Sequence, residues 1–313
     1  MSMASSILLA AGSLAVSTFI NYSPYTMATK KPAGVDPWAD SPIPLVATPQ
    51  FETGKMDIFT TGATHMALVH NALIRGFNSI YVQASHIRDE VKPDFVGYSL
   101  AWAKFMKSHH HDEEDSLFLK VADLLQDKDV WTETHREHES FLDGVLAFES
   151  YLTGLADRKA LSAEKLVEIM DSFREPLGHH LHSEVATIAN LSTHPRAPPE
   201  GTLEAAAAAQ VFKAWGKKTI TKAGMLDVAP FFFLNLDRTF EQNTWWGWPP
   251  MPKVIRWAIV NVAGMYNGNW WKFASCAQDG SPRELFALEY RFQGMQRPKS
   301  DATAKPVAEN GEL

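Results

Sequence analysis

The stretch "KFMKSHHHDEEDSLFLKV", Lys104–Val121, sets three consecutive histidines against a run of acidic residues. On an α-helix, residues four apart stack on one face, while adjacent residues diverge by about 100°. His110 and Glu114 are four apart, and both continue the apolar stripe of Ala103, Met106, Leu117 and Val121. Both are therefore expected to point inward. His109 pairs with Glu113 by the same spacing, but on a face turned well away.

The other histidines follow the same logic. All twelve lie between His65 and His194, and the remaining 183 residues of the 313 have none. Four amphipathic segments cover this region. Phe59–Ile87 carries the stripe Met66, His70, Ile74, Phe77 and Tyr81. The second runs from about Pro93 to Gln126 and contains the opening stretch. The third, about Val130 to Leu155, presents His138, Leu142, Val145 and Leu152. The fourth, about Ser162 to Leu191, presents Phe173, Leu177, His180, Glu184 and Ile188. Each stripe has the three- and four-residue period of a helix that buries one side. The links "DEVKP", "QDKDV" and "ADRKALS" are short, which favours antiparallel neighbours. The expected fold is all-α, an up-down four-helix bundle over residues 56–192.

Composition narrows the function. The net charge is −7 with no long basic run, which argues against nucleic acid. A single cysteine, Cys276, excludes a disulfide framework and a thiolate metal cluster. What remains is a core that receives His70, His110, Glu114, His138, His180 and Glu184. A lone buried carboxylate is costly unless paired or bound to metal. Two divalent or trivalent irons would satisfy carboxylates and imidazoles together. Mixed nitrogen and oxygen donors suit iron better than calcium, which prefers all-oxygen shells, or zinc in a closed tetrahedral site. A zinc-hydrolase reading of "HHLHSE" would need a strand-to-loop setting, and that segment is helical on both sides.

Four motifs in order, "MALVHNAL", "HHHDEEDSLF", "HREHESFLDGVLAFESYL" and "HHLHSEV", resemble those of the hemerythrin-like (HHE) cation-binding domains, and the later "FLNLDRTF", "WPPMP" and "WWKFA" resemble the tail of members of the filamentous-fungal type. The match of the four motifs runs from about Met56 to Asn190. The resemblance implies a non-haem di-iron centre that binds or activates O2. It implies iron ligands at His70, His110, Glu114, His138, His180 and Glu184, with the glutamates bridging. The oxygen-carrying members have two histidines four apart on the third helix, whereas here the position four before His138 is Thr134. An iron-sensing relative compensates with a ligand directly after the second-helix histidine, which makes His111 a candidate seventh ligand. Glu113 and His135 stand behind it. His65, His86, His109, His182 and His194 are expected to be solvated or outlying.

The flanks are less specific. Residues 1–55 form a leader and an extended, proline-bearing lead-in. "SILLAAGSLAVSTFI" is short for a bilayer span and has no basic residue before it. It reads as a weak signal or anchor or as an unstructured leader, with cytoplasmic location the expectation. Residues 193–292 open with a linker and a helix, "LEAAAAAQVFKAWGKK", and then concentrate six of the ten tryptophans between Trp245 and Trp271. These aromatics can pack on the bundle, wall a substrate cavity with Asn235 and Asp237, or meet a membrane interface. Residues 293–313 are expected to be disordered. Two functional classes follow. One is a carrier or sensor of O2 or a related small ligand. The other is an O2-dependent oxidase or oxygenase acting on a small organic molecule in fungal secondary metabolism.

Overall fold

A computed structural model describes residues 38–288, without the side chains of 216–222; the leader and the final segment lie outside the described residues. The described chain is all-α, with one isolated β-bridge between Cys276 and Pro282. A short helix α1, Pro49–Thr53, precedes four segments that hold the histidines. These are α2 (Ile58–Gln83), α3 (Lys92–Asp112) continued by a π-helical turn (Glu113–Leu117) and α4 (Phe118–Leu125), then α5 (Thr132–Thr153) and α6 (Ala163–Asn190). After these come α7 (Leu203–Ala223), α8 (Val228–Asn235), α9 (Lys253–Asn261) and a 3-10 stretch, Ala263–Phe273.

Local chemistry sets the ends of these helices. The Asp57 carboxylate accepts from the backbone N–H groups of Phe59 and Thr60, and Ser162 Oγ accepts from Lys165 N–H. Such caps satisfy donors that have no partner inside the first turn. Pro93 occupies the start of α3, where its missing N–H costs nothing. Gln126 adopts a left-handed φ of 47° and closes α4.

Helix α6 packs against α2 and α5, and α3 packs against the same two. Their apolar stripes meet in one core of large, fully buried side chains that includes Phe77, Trp102, Phe141, Phe148 and Phe173. The lead-in is fastened to α2 by two buried amides seven residues apart. Asn71 bonds both backbone groups of Val46. Asn78 accepts from Ile43 N–H and donates to the carbonyls of Ala39 and Ile43.

The aromatic-rich region belongs to the same core. Phe212, Phe231, Phe232, Trp271 and Phe273 are buried in continuity with the helix interior. Phe231 lies 4.9 Å from Tyr98, and Phe232 lies 5.9 Å from Phe105, between ring centroids. Three rings sit where glycines leave room. Phe212 lies over Gly62, Phe231 over Gly76 and Trp270 over Gly97, so a Cβ at any of these would overlap the ring. The polar residues Asn235 and Asp237 are engaged in structure rather than open to a cavity. Asn235 Oδ1 accepts from Tyr98 Oη–H and from Ser275, and Asp237 pairs with Arg75 at 3.0 Å. Among the described residues no helix is long and apolar enough to cross a membrane.

Candidate metal centre

The helices converge on two groups of donor atoms. His110, His138 and His180 bring ring nitrogens within 4.8 Å of one another, and His70, His109, Glu113 and Glu184 do the same with nitrogens and oxygens. All seven side chains are buried. The carboxylates stand between the groups. Glu184 Oε2 lies 3.3 Å from His70 Nε2 and 3.6 Å from His180 Nε2. Glu113 reaches His109 Nε2 at 3.0 Å and His138 Nε2 at 4.0 Å.

Five expected positions, His70, His110, His138, His180 and Glu184, therefore come together. Glu114 does not. Its side chain is 38 % exposed, and its Oε1 accepts from Nδ1 of His138 at 2.6 Å and Nδ1 of His135 at 2.9 Å. Glu113, fully buried, occupies the inward place. His111 is 62 % exposed and pairs with Asp115 on the outer surface. His109, expected off the core face, is fully buried inside the cluster. His135 remains at the surface beside Glu114. His182 bonds the Pro44 carbonyl, and His194 pairs with Asp127.

The phase of α3 itself explains the shift. Successive residues of an α-helix turn by about 100°, so His109, His110 and Glu113 lie roughly 60°, 40° and 20° from Met106 around the axis, whereas Glu114 lies roughly 80° away. His109, His110 and Glu113 therefore share the buried face of Phe105 and Met106. The π-helical turn, Glu113–Leu117, follows them, and Leu117, Phe118 and Val121 stay on the buried side. The signal was present in the sequence, but counting in steps of four from Met106 through His110 to Glu114 accumulates about 40° per step and hides it.

Tautomers can be deduced for three of the rings. A carbonyl only accepts, so His70 Nδ1 must donate to Leu181 O, 2.7 Å away. His138 Nδ1 meets the Glu114 carboxylate, and His180 Nδ1 meets that of Glu137 at 3.2 Å. In the neutral ring the remaining nitrogen, Nε2, is then a bare lone pair. Three such lone pairs face four carboxylate oxygens. Both nitrogens of His110, Nε2 of His138 and His180, and both oxygens of Glu113 and of Glu184 are buried without a hydrogen bond. Among the described residues neither carboxylate has a lysine or arginine partner.

Such a cluster needs protons or cations. Without cations, burial, together with the charges of Glu184, Glu114 and Asp112, pushes the Glu113 carboxyl well above the usual range. Burial also works against ionised Glu184, but the imidazoles of His70 and His180, 3.3 and 3.6 Å away, outweigh it and hold Glu184 low. Burial and mutual repulsion hold the His109 and His110 rings well below the usual imidazole range, and His138 is lowered mainly by burial. Neutral imidazoles and ionised carboxylates are the forms that bind metal. The donor set fits a pair of metal ions linked by two carboxylates, and outer acceptors on Nδ1 orient the rings as at metal sites.

The walls are aromatic. Phe141 lies 4.8 Å from His110 and 5.1 Å from His180, and Phe118 stacks on His138 at 5.7 Å. The later part of the chain reaches the site through Trp215 of α7, whose ring lies 5.8 Å from His109. Its indole N–H is buried without a hydrogen bond.

No protein-family model matches the chain, and no solved structure matches it. The chain is similar to a protein of Cryptosporiopsis sp. (strain 8999) described as dimeric xanthone biosynthesis cluster protein R11. The two are 27% identical over 262 residues, covering 80% of this chain and 93% of the other. That share is too large to be carried by residues 56–192 alone.

Proposed function

We propose that the chain is a hemerythrin-like non-haem di-iron protein, with α2, α3, α5 and α6 forming the up-down four-helix bundle of that class. The carrying observation is the set of buried, unbonded donor atoms on His110, His138, His180, Glu113 and Glu184. His110, His138 and His180 would hold one iron, and His70 and His109 the other. Glu113 and Glu184 would lie between them. Ferrous iron, when bound there, would supply the electrons for reducing dioxygen. The protein's part is to keep the Nε2 lone pairs aimed inward through Leu181 O, Glu114 and Glu137, to neutralise the cations with two carboxylates, and to exclude water with Phe118, Phe141 and Trp215.

The similarity to a protein of a xanthone biosynthesis cluster favours a second, more specific reading. In it, the centre serves an O2-dependent oxidase or oxygenase acting on a small organic molecule in fungal secondary metabolism.

Metal analysis of protein made in iron-replete cells tests the first reading, with about two irons per chain expected. One zinc and no iron would remove it. Reaction of the reduced protein with O2, followed optically with and without extract of the producing cells, separates the two readings. Extract-dependent oxygen consumption marks the enzyme, and reversible binding without consumption marks the carrier.

A further inference from the structure

Away from the histidine cluster, Arg256 of α9 is only 9 % exposed, and its Nε, Nη1 and Nη2 have no hydrogen-bond partner among the described residues. Its guanidinium lies over the Phe233 ring at 4.9 Å. A ring face offsets part of a buried cation's cost but satisfies none of its five N–H groups. A buried unpaired charge is among the most expensive features a fold can carry. We propose that Arg256, backed by Arg238, forms an anion site that takes the carboxylate of a small organic acid.

The surroundings select that ligand. Arg238 already donates to the carbonyls of Asp279 and Trp246, so only its Nε is left unbonded. Arg256 keeps both edges of its fork available for a two-oxygen acceptor, the geometry that suits a carboxylate. The charge count agrees. The guanidinium groups of Arg256 and Arg238 outnumber the nearby carboxylate of Asp279, so the site favours an anion, and the two-pronged fork of Arg256 selects a carboxylate. Burial pushes the neighbouring Cys276 thiol up to about 12, so it stays neutral and does not alter the count. Burial and the nearby Arg238 pull Arg256 down to about 10, and it still remains charged at neutral pH. Arg238 stacks at 4.4 Å on Trp246, which is 44% exposed, so the arginine pair lies close to solvent on that side. The site does not depend on the metal reading, since none of its residues belongs to the histidine cluster.

The test is calorimetric titration of the full-length, metal-loaded protein with benzoate and, separately, with inorganic phosphate. Benzoate should bind, and Arg256→Met should weaken it by about tenfold to a hundredfold, the range for losing a charge-assisted pair. In the absence of ligand the variant should be at least as stable as the parent, because an unpaired buried charge has been removed. Equal benzoate affinity in both proteins, no binding of either probe, or binding of phosphate alone would overturn the proposal. If the variant does not fold, phenylglyoxal labelling of the parent still decides. Benzoate should slow modification of Arg256 but not of exposed Arg136, and absence of that protection refutes the site.

Discussion

Replacing Glu113 by glutamine tests the helical phase and the electrostatics together. In metal-free protein, Glu113 is buried with Glu184 nearby, and its carboxyl is held well above the value of 4.5 that it has when unfolded. Below pH 4.5 the proton is on in both states, and the group costs nothing. Above it the native state keeps a proton that the unfolded state releases. Stability then falls by about 1.4 kcal/mol per pH unit until the raised value is passed. Glutamine carries no proton to lose, so this slope should vanish in Glu113→Gln. Glu114→Gln should keep it, since Glu114 lies outward against His135 and His138. Starting at pH 6.5 and working upward keeps the histidine contributions small, since the buried rings are neutral and those of the unfolded chain lose their protons across that range. The assay is guanidinium unfolding after chelation, at several pH values from 6.5 upward, beside iron content before chelation. Glu113→Gln should lose iron, and Glu114→Gln should retain most of it. The reverse pattern, with a flat profile and lost iron in Glu114→Gln, would show that Glu114 and not Glu113 is the inward carboxylate.

His110→Ala should empty the site while His111→Ala keeps its metal, because His111 lies outside with Asp115; equal losses by metal analysis would contradict the placement. Acid should destabilise the metal-free protein as pH falls below 6.5. Burial depresses His109, His110 and His138, so the unfolded chain binds more protons there, and each costs up to about 1.4 kcal/mol per unit. A denaturation midpoint that stays constant from pH 7 to about 5.5 would be inconsistent with this. Gly97→Ala, which drives a methyl into the Trp270 indole, should cost about 1–3 kcal/mol in urea unfolding, and an unchanged midpoint would show that the ring is not seated there. A chain ending at Pro198 uncovers Tyr98 and Phe105 and should aggregate; a monomeric, cooperatively unfolding fragment in light scattering and calorimetry would show that the later region is dispensable.

The segments with a regular period were legible in the sequence. His70, His138, His180 and Glu184 sit on uninterrupted helices, and their spacing from Met66, Leu142, Leu177 and Ile188 was enough to aim them. The second helix was legible as a helix but not in its phase. Steps of four from Met106 lead to His110 and Glu114 but drift by about 40° each, so by the second step they leave the buried face. The heptad spacing from Met106 to Glu113 returns within roughly 20° of it, and His109 lies between the two on the same side. The later region resisted for a different reason. Its arrangement rests on contacts far apart in the chain, such as Asn235 with Tyr98 and Phe212 with Gly62, and no local pattern encodes those.

The three glycine seats have a consequence for inheritance. Phe212, Phe231 and Trp270 each require a missing side chain on a helix more than a hundred residues away. Exchanging the C-terminal region between related proteins would therefore succeed only when both members of each pair travel together. A donor bundle with alanine or valine at the positions of Gly62, Gly76 and Gly97 would reject this region however well its hydrophobic pattern matched. Among homologous sequences, loss of a glycine at one of these positions should be accompanied by a smaller residue in place of the partner ring. The two parts of the chain are thus keyed to one another, and a relative with the same histidine-bearing helices but without the three notches belongs to a lineage with a different cover or none.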